Sequence, residues 1–404
     1  MSSHGIPRAA TRGERTAEAR QKELKEIAQY QQLVEEVNDK VIDVRYPGRG
    51  NIADDDLGQV AAKEYTAELL QKTAELLKKN PEYYTVWNHR RRIYVNEFED
   101  LARQASSEEI DEDTRVSQVL DIIQLDLQFL FPLLLKFPKC YWIWNHRLWL
   151  LEQTTILVPA IKARKLWEEE LGLVGKMLNR DSRNFHGWGY RRTVVQNLES
   201  PALQGQSMAR PEFDYTKKMI GTNLSNFSAW HNRTKLILRI LDEESASDQE
   251  RQNMLDEGRP PRSSNVTHAY FAVRLELELI HKALFDPYDQ SLWFYHQNLM
   301  CTFDPDQAAK SMAPNLSKEQ RLEYIAAERE YIEEVLEDAQ DCKWPYQALI
   351  ECTLLEGKVK SCLKEEDGVK VKEWLQTLKT LDPLRKGRWN DMEQQLASNW
   401  RDIW

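Results

Sequence analysis

Glycine and proline are scarce, at 15 each among 404 residues, and cysteine occurs only five times. With 30% charged residues beside so few turn-formers, a turn-rich β chain is disfavoured and long helices are expected. Cys140, Cys301, Cys342, Cys352 and Cys362 form no CxxC pair and no close Cys/His grouping. Neither a disulfide framework nor a zinc site on this chain is indicated, and the cysteines read as reduced, mostly buried thiols. A basic excess is missing too, since 55 Lys and Arg face 65 Asp and Glu for a net charge of -10. A phosphate-backbone binder wants a basic face, so no nucleic-acid role is expected.

The longest apolar run, Phe129 to Leu135, is short and interrupted by Pro132, so no transmembrane segment is expected. Residues 1–30 lack the apolar core of a signal peptide, and Glu14, Glu18, Glu23 and Glu26 interleave with the basic residues there; cytoplasm is the default location. No nucleophile elbow, P-loop or dinucleotide fingerprint is present, so the chain shows no self-contained active site.

What is present is a phrase repeated five times around a tryptophan. It reads PEYYTVWNHRR from Pro81, PKCYWIWNHR from Pro138, DSRNFHGWGYRR from Asp181, NLSNFSAWHNR from Asn223 and DPYDQSLWFYH from Asp286. The anchors Trp87, Trp144, Trp188, Trp230 and Trp293 lie 57, 44, 42 and 63 residues apart, room for two helices and their connections. A sixth, degenerate copy is placed on Trp344 in CKWPY. Ahead of the first anchor, Tyr65, Leu69, Leu70, Leu76 and Leu77 recur at helical spacing, and Lys78-Lys79-Asn80-Pro81 supplies cationic last-turn residues, a cap and a stop. A second helix starting near Tyr84 carries Trp87, Arg90, Arg91 and Tyr94 on neighbouring parts of one face. The unit is a helical hairpin.

Single hairpins cannot bury both faces, so the expected fold class is all-α, an α-α superhelix in which stacked hairpins build a curved solenoid. The expected organisation is an N-terminal helical segment and connection over 1–60, five to six hairpins over 61–346, and C-terminal capping helices over 347–404. Segments 97–115, 200–212, 242–265 and 305–317 read as insertions or loose connections. The tryptophans and the aromatics three residues before them, Tyr84, Tyr141, Phe185 and Phe227, are expected to pack between helices. Arg90, Arg147, Arg191 and Arg233 should stack on a ring or pair a carboxylate in the next hairpin. His89, His146, His186, His231 and His296 take different offsets from the anchors and read as polar rim residues.

The phrase P-x-x-Y-x-x-W-x-x-R-R in tandem, covering about 61–346, resembles the α subunits of protein farnesyltransferase and the geranylgeranyltransferases; the tetratricopeptide signatures are absent. The resemblance implies a crescent of paired helices wrapped around a β subunit that carries the zinc, the isoprenoid tunnel and most of the peptide site, with no cofactor on this chain. The family's α contribution centres on the lysine and tyrosine of P-K-x-Y, kept here as Pro138-Lys139-Cys140-Tyr141. Lys139 and Tyr141 are thereby implied as donors to the leaving diphosphate. Where the family often has tyrosine then histidine in the third repeat, this chain has Phe185 then His186, which leaves His186 as the weaker substrate-binding residue.

His4-Gly5 and the stretch LDPLRKGRWNDM from Leu381 resemble the ends of the type II, Rab-modifying α subunit, in its short form without immunoglobulin-like or leucine-rich modules. That implies as partners a prenyltransferase β subunit, a Rab escort protein, a Rab GTPase and geranylgeranyl diphosphate. Two other readings stay open: the α subunit shared by farnesyltransferase and type I geranylgeranyltransferase, acting on CaaX substrates, and a non-catalytic helical-repeat scaffold.

Overall fold

A computed structural model describes residues 17–41, 65–253 and 276–399. Among the described residues the regular elements are helices, with no strand. They are α1 (Ala17–Val41), α2 (Ala67–Lys79), α3 (Tyr84–Ser106), α4 (Glu112–Lys136), α5 (Tyr141–Leu157), α6 (Ala160–Arg180), α7 (Phe185–Leu198), α8 (Ala209–Thr222) and α9 (Phe227–Glu243). After the short α10 (Asp248–Asn253) come α11 (Glu276–Ala283), α12 (Gln290–Met300), α13 (Lys318–Asp338), α14 (Lys343–Lys360), α15 (Glu365–Leu381) and α16 (Lys386–Asn399). Two compact units result, one of residues up to 178 together with 186–206, the other of 179–185 together with 207 onward.

In the first unit α2/α3 and α4/α5 are complete hairpins, and α1 joins α2 through Asn80, which donates to the Tyr30 hydroxyl at 2.8 Å, and Lys72–Glu36 at 3.2 Å. In the second unit the hairpins are α8/α9, α11/α12, α13/α14 and α15/α16. Local chemistry sets the helix starts. Thr66 caps α2 by accepting from Leu69 N, Asp111 caps α4 by accepting from Thr114 N, and Ser317 with Gln320 forms a capping box on α13.

The second helix of a hairpin starts differently, because its anchor reaches back six residues. The indole N–H of Trp87 donates to the Pro81 carbonyl at 2.8 Å, Trp144 to Pro138 at 2.9 Å, Trp230 to Leu224 at 2.7 Å and Trp293 to Pro287 at 2.7 Å. Each bond satisfies a buried ring nitrogen and clamps the connecting turn to the helix it opens. All five tryptophan anchors are buried. In the α13/α14 hairpin the bond of the same reach is made by the Tyr346 hydroxyl, which donates to the Gln340 carbonyl at 3.0 Å. The sixth anchor is therefore Tyr346, and Trp344 takes the place that Trp142 holds two residues before Trp144. Its helix runs on to Lys360, past the boundary expected at 346.

Successive hairpins are tied by a recurring ion pair. Arg90 donates to Asp126 of α4, Arg147 to both carboxylate oxygens of Glu170 at 2.7 and 2.6 Å, and Arg233 to both of Glu276 at 2.7 and 2.6 Å. Each arginine also reaches a carbonyl 20 residues back, Leu70, Leu127 and Phe213 respectively. Every member is buried, so the multiple hydrogen bonds are what make the desolvation tolerable. Three anchor rings are covered by a ring two places after the next anchor: Trp87 by His146 at 5.0 Å between centroids, Trp144 by Tyr190 at 4.9 Å, Trp230 by Tyr295 at 4.4 Å.

Several expectations are corrected. His89, His146 and His296 are buried, not on a rim; His146 Nε2 lies 2.8 Å from Asp126 and His296 Nε2 3.0 Å from Glu328. The preceding aromatics Tyr84, Tyr141, Phe185 and Phe227 are exposed, because they open the second helices where the connecting turn leaves them uncovered. Residues 97–106 continue α3 and 248–253 form α10, so polar composition there marked solvated helix. Pro132 does not end α4; it sits on the exposed side, where the carbonyl it leaves unbonded can meet water. Among the described residues α4 is long and apolar enough to cross a membrane by length and composition, which the short run from Phe129 to Leu135 understated; its Asp126 is buried against Arg90. The His4-Gly5 cue lies outside the described residues.

Candidate functional site

The turn between α4 and α5 is built from Phe137-Pro138-Lys139-Cys140. Phe137 N–H donates to Leu133 O at 2.8 Å as α4 ends, and Cys140 N–H closes the turn on Phe137 O at 3.0 Å. Pro138 offers its carbonyl to Trp144. The Cys140 thiol donates to the Pro81 carbonyl at 3.5 Å, so this turn sits on the turn of the preceding hairpin. Burial pushes the Cys140 thiol up to about 11, keeping the proton that makes this contact. Cys342 repeats the device in the second unit, donating to Pro287 O at 3.2 Å.

The turn presents Lys139 in an exposed position and Tyr141 with 51% of its surface open. Tyr141 is the first residue of α5, so it stands at the positive end of that helix's dipole. Its ring lies 6.4 Å from that of His186 and edge-on to Trp142 at 5.3 Å, and Tyr84 stacks on Trp142 at 5.5 Å. His186 is half-buried. Burial lowers its pKa, Lys139 nearby pushes the same way and Glu82 opposes them, so at neutral pH the ring is a neutral donor or acceptor. All three residues expected at the site thus come together on one patch of the first unit. Among the described residues no group of three His, Cys, Asp or Glu side chains is arranged to hold a metal.

Two polar residues of this patch were not anticipated. Asn145, one turn after Tyr141, donates from Nδ2 to the Tyr141 oxygen at 3.3 Å. Arg91 of the preceding hairpin donates to Asn145 Oδ1 at 2.7 Å and to His146 Nδ1 at 3.3 Å, with its guanidinium 5.6 Å from the Trp149 ring centre. Their only sequence signal is that both fall in the anchor phrases, Arg91 four residues after Trp87 and Asn145 one after Trp144.

Stacked hairpins with a tryptophan clamp and a lysine-tyrosine turn define a helical-repeat protein of a recognisable kind. The Protein prenyltransferase alpha subunit repeat matches residues 66–96, 123–154, 167–198 and 210–240. Over nearly their whole lengths, 98% of both chains, the protein is 32% identical to the geranylgeranyl transferase type-2 subunit alpha of Candida albicans. It is equally 32% identical to the subunit of that name from Saccharomyces cerevisiae, covering 97% of this chain and 99% of the relative. The chain belongs to the type-2 geranylgeranyl transferase alpha-subunit family. The bovine member is 32% identical over 62% of this chain, which spans 37% of that longer relative. Among solved structures, a Candida albicans protein geranylgeranyltransferase-I complexed with GGPP shares the fold, with a TM-score of 0.51 and 18% identity over 82% of this chain and 85% of that one.

Proposed function

We propose that this chain works as the α half of a type II protein geranylgeranyltransferase, active only as an αβ heterodimer. The heterodimer transfers geranylgeranyl from geranylgeranyl diphosphate to C-terminal cysteines of Rab GTPases presented by an escort protein. The observation that carries the reading is the end-to-end similarity to the two yeast subunits of that name. Lys139 and Tyr141 on one exposed turn supply the chemistry expected of this half. Zinc, expected on the β subunit, would hold the substrate cysteine as a thiolate; no step is assigned to it on this chain.

In the transfer, the cysteine sulfur bonds to the allylic C1 of the lipid while the C1–O bond to diphosphate breaks. Negative charge grows on the departing oxygens, and only groups that meet it better in the transition state than in the ground state raise the rate. The Lys139 ammonium and the Tyr141 hydroxyl, at the positive end of the α5 dipole, are such groups. His186, neutral at working pH, would act as a hydrogen-bonding neighbour.

The test is a two-substrate assay of the heterodimer with farnesyl and geranylgeranyl diphosphates, each offered with a CaaX peptide and with escort-bound Rab. Transfer to Rab from geranylgeranyl diphosphate is expected, and modification of the free CaaX peptide would defeat the type II assignment. In the same heterodimer Lys139→Ala should slow single-turnover transfer by about 2 to 4 kcal/mol of barrier while diphosphate-lipid affinity changes less. Unchanged single-turnover chemistry would remove Lys139 from the mechanism.

A further inference from the structure

We infer that Asn145 and Arg91 are positioning residues that hold the Tyr141 hydroxyl with its proton turned outward, toward an acceptor that approaches the turn; this rests on the reading of Tyr141 as a diphosphate donor. Arginine carries donors and no acceptor, so its two contacts fix the polarity of everything attached to it. Because Arg91 Nη2 lies 2.7 Å from one side of the Asn145 amide, that side is the oxygen. The Nδ2 group then faces Tyr141 at 3.3 Å and donates to it.

The other contact, Arg91 Nε to His146 Nδ1 at 3.3 Å, makes Nδ1 an acceptor and leaves the ring proton on Nε2. From there it donates to Asp126 Oδ2 at 2.8 Å, and the other oxygen of Asp126 accepts from Arg90. Burial lowers the His146 pKa, in keeping with a neutral ring of this tautomer. The chain of bonds therefore starts at a buried ion pair between two hairpins and ends on an exposed phenol.

Its consequence lies in the last bond. A hydroxyl has one proton and two lone pairs; once Asn145 donates to the Tyr141 oxygen, the proton has no partner on that side and points away from it. With half of Tyr141 open, the remaining direction is solvent, or the oxygen of an arriving phosphate. The Asn145 amide supplies both an acceptor and a donor: aspartate lacks the donor for Tyr141, and an apolar residue lacks both contacts.

The experiment is single-turnover transfer by the αβ heterodimer carrying Asn145→Asp, Asn145→Ala or Tyr141→Phe, and each Asn145 change combined with Tyr141→Phe. Tyr141→Phe should slow transfer on the order of 10²-fold, the loss typical of one oxyanion donor. Asn145→Asp keeps a partner for Arg91 but turns the phenol proton inward, so its rate should fall toward that of Tyr141→Phe, with KM little changed and no further loss in the double variant. Asn145→Ala should lose less, and again nothing more without the hydroxyl. Equal losses with and without the Tyr141 hydroxyl would overturn the inference, as would wild-type rates for both Asn145 variants while Tyr141→Phe is slow. If Tyr141→Phe itself transfers at the wild-type rate, the donor role of Tyr141 fails and the positioning role falls with it.

Discussion

The joint between the α2/α3 and α4/α5 hairpins and the joint between the α11/α12 and α13/α14 hairpins place a carboxylate at the same point and surround it differently. Asp126 stands 18 residues before its anchor Trp144, and Glu328 stands 18 before Tyr346. Asp126 is held by Arg90 and by His146. Glu328 is held by His281 at 3.0 Å and His296 at 3.0 Å, with histidine standing where the earlier repeats have arginine. The covering ring differs as well. His146 lies over Trp87, whereas Ala348 occupies the matching place after Tyr346, and a shallow cleft opens there between Trp293, Phe294, Trp344 and Glu351. The carboxylate is the constant of the joint, and both the side chain that holds it and the ring can be exchanged once it is in place.

The exchange of arginine for histidine should be visible in stability. Arg90→Ala leaves Asp126 buried with one neutral imidazole, and the expected cost is about 3 to 5 kcal/mol. His296→Ala leaves Glu328 with His281 still donating, so about 1 to 3 kcal/mol is expected, the cost of one lost bond to a buried charged group. Urea unfolding of the two variants checks the order, and a His296→Ala cost equal to that of Arg90→Ala would break the comparison.

Acid should separate the joints further. Burial alone would raise the Glu328 pKa, but the hydrogen bonds from His281 and His296 bring it from 4.5 down to about 2. A carboxyl depressed in the fold contributes stability that is complete above its unfolded pKa and lost as pH falls through the folded value. The gap between wild type and Glu328→Gln, on the order of 3 kcal/mol for this group, should therefore shrink between about pH 4.5 and pH 2. At the other joint His146 is depressed below 6.5 by burial. The unfolded chain then takes up a proton there first, so stability begins to fall as pH drops below about 6.5, and His146→Gln should flatten that limb. Denaturant midpoints measured from pH 7 to pH 2 check both, and a Glu328 gap that is constant across the acid range would mean that no ionised carboxylate is held at this joint.

The two joints also show what the sequence made legible. The anchors stood out because tryptophan is rare and the phrase recurs, and the arginine three residues later implied a carboxylate in the next hairpin, which Asp126, Glu170 and Glu276 supply. Which of 65 acidic residues these were could be read only after the anchors fixed a register to count back from. The histidines misled because a shared phrase hid two distinct offsets: His89 and His146 follow their anchors by two residues and His296 by three, and each offset faces inward. The sixth anchor was misplaced because a tyrosine performs the tryptophan's hydrogen bond. At the site, Lys139 and Tyr141 were legible from the local phrase. Arg91 and Asn145 were not, since they stand 54 residues apart and only the stacking of two hairpins joins them.

The smallest effect belongs to the missing ring. If the cleft beside Trp293 exists because Ala348 stands where three of the other joints have His146, Tyr190 or Tyr295, then Ala348→Leu should fill part of it. The expected gain is about 0.5 to 1 kcal/mol, as for other cavity-filling changes, because the cleft is open to solvent and the added side chain recovers only some of the contacts a buried ring makes. The reciprocal change, Tyr295→Leu, should cost more than Ala348→Leu returns, since it strips the cover from Trp230 and also removes the hydroxyl that donates to buried Glu276. Both are read from urea midpoints. A loss of about 1 to 3 kcal/mol for Ala348→Leu, the usual penalty of overpacking, would mean that this joint is closed in its own way and that Ala348 is a fitted residue there, not the trace of a ring given up.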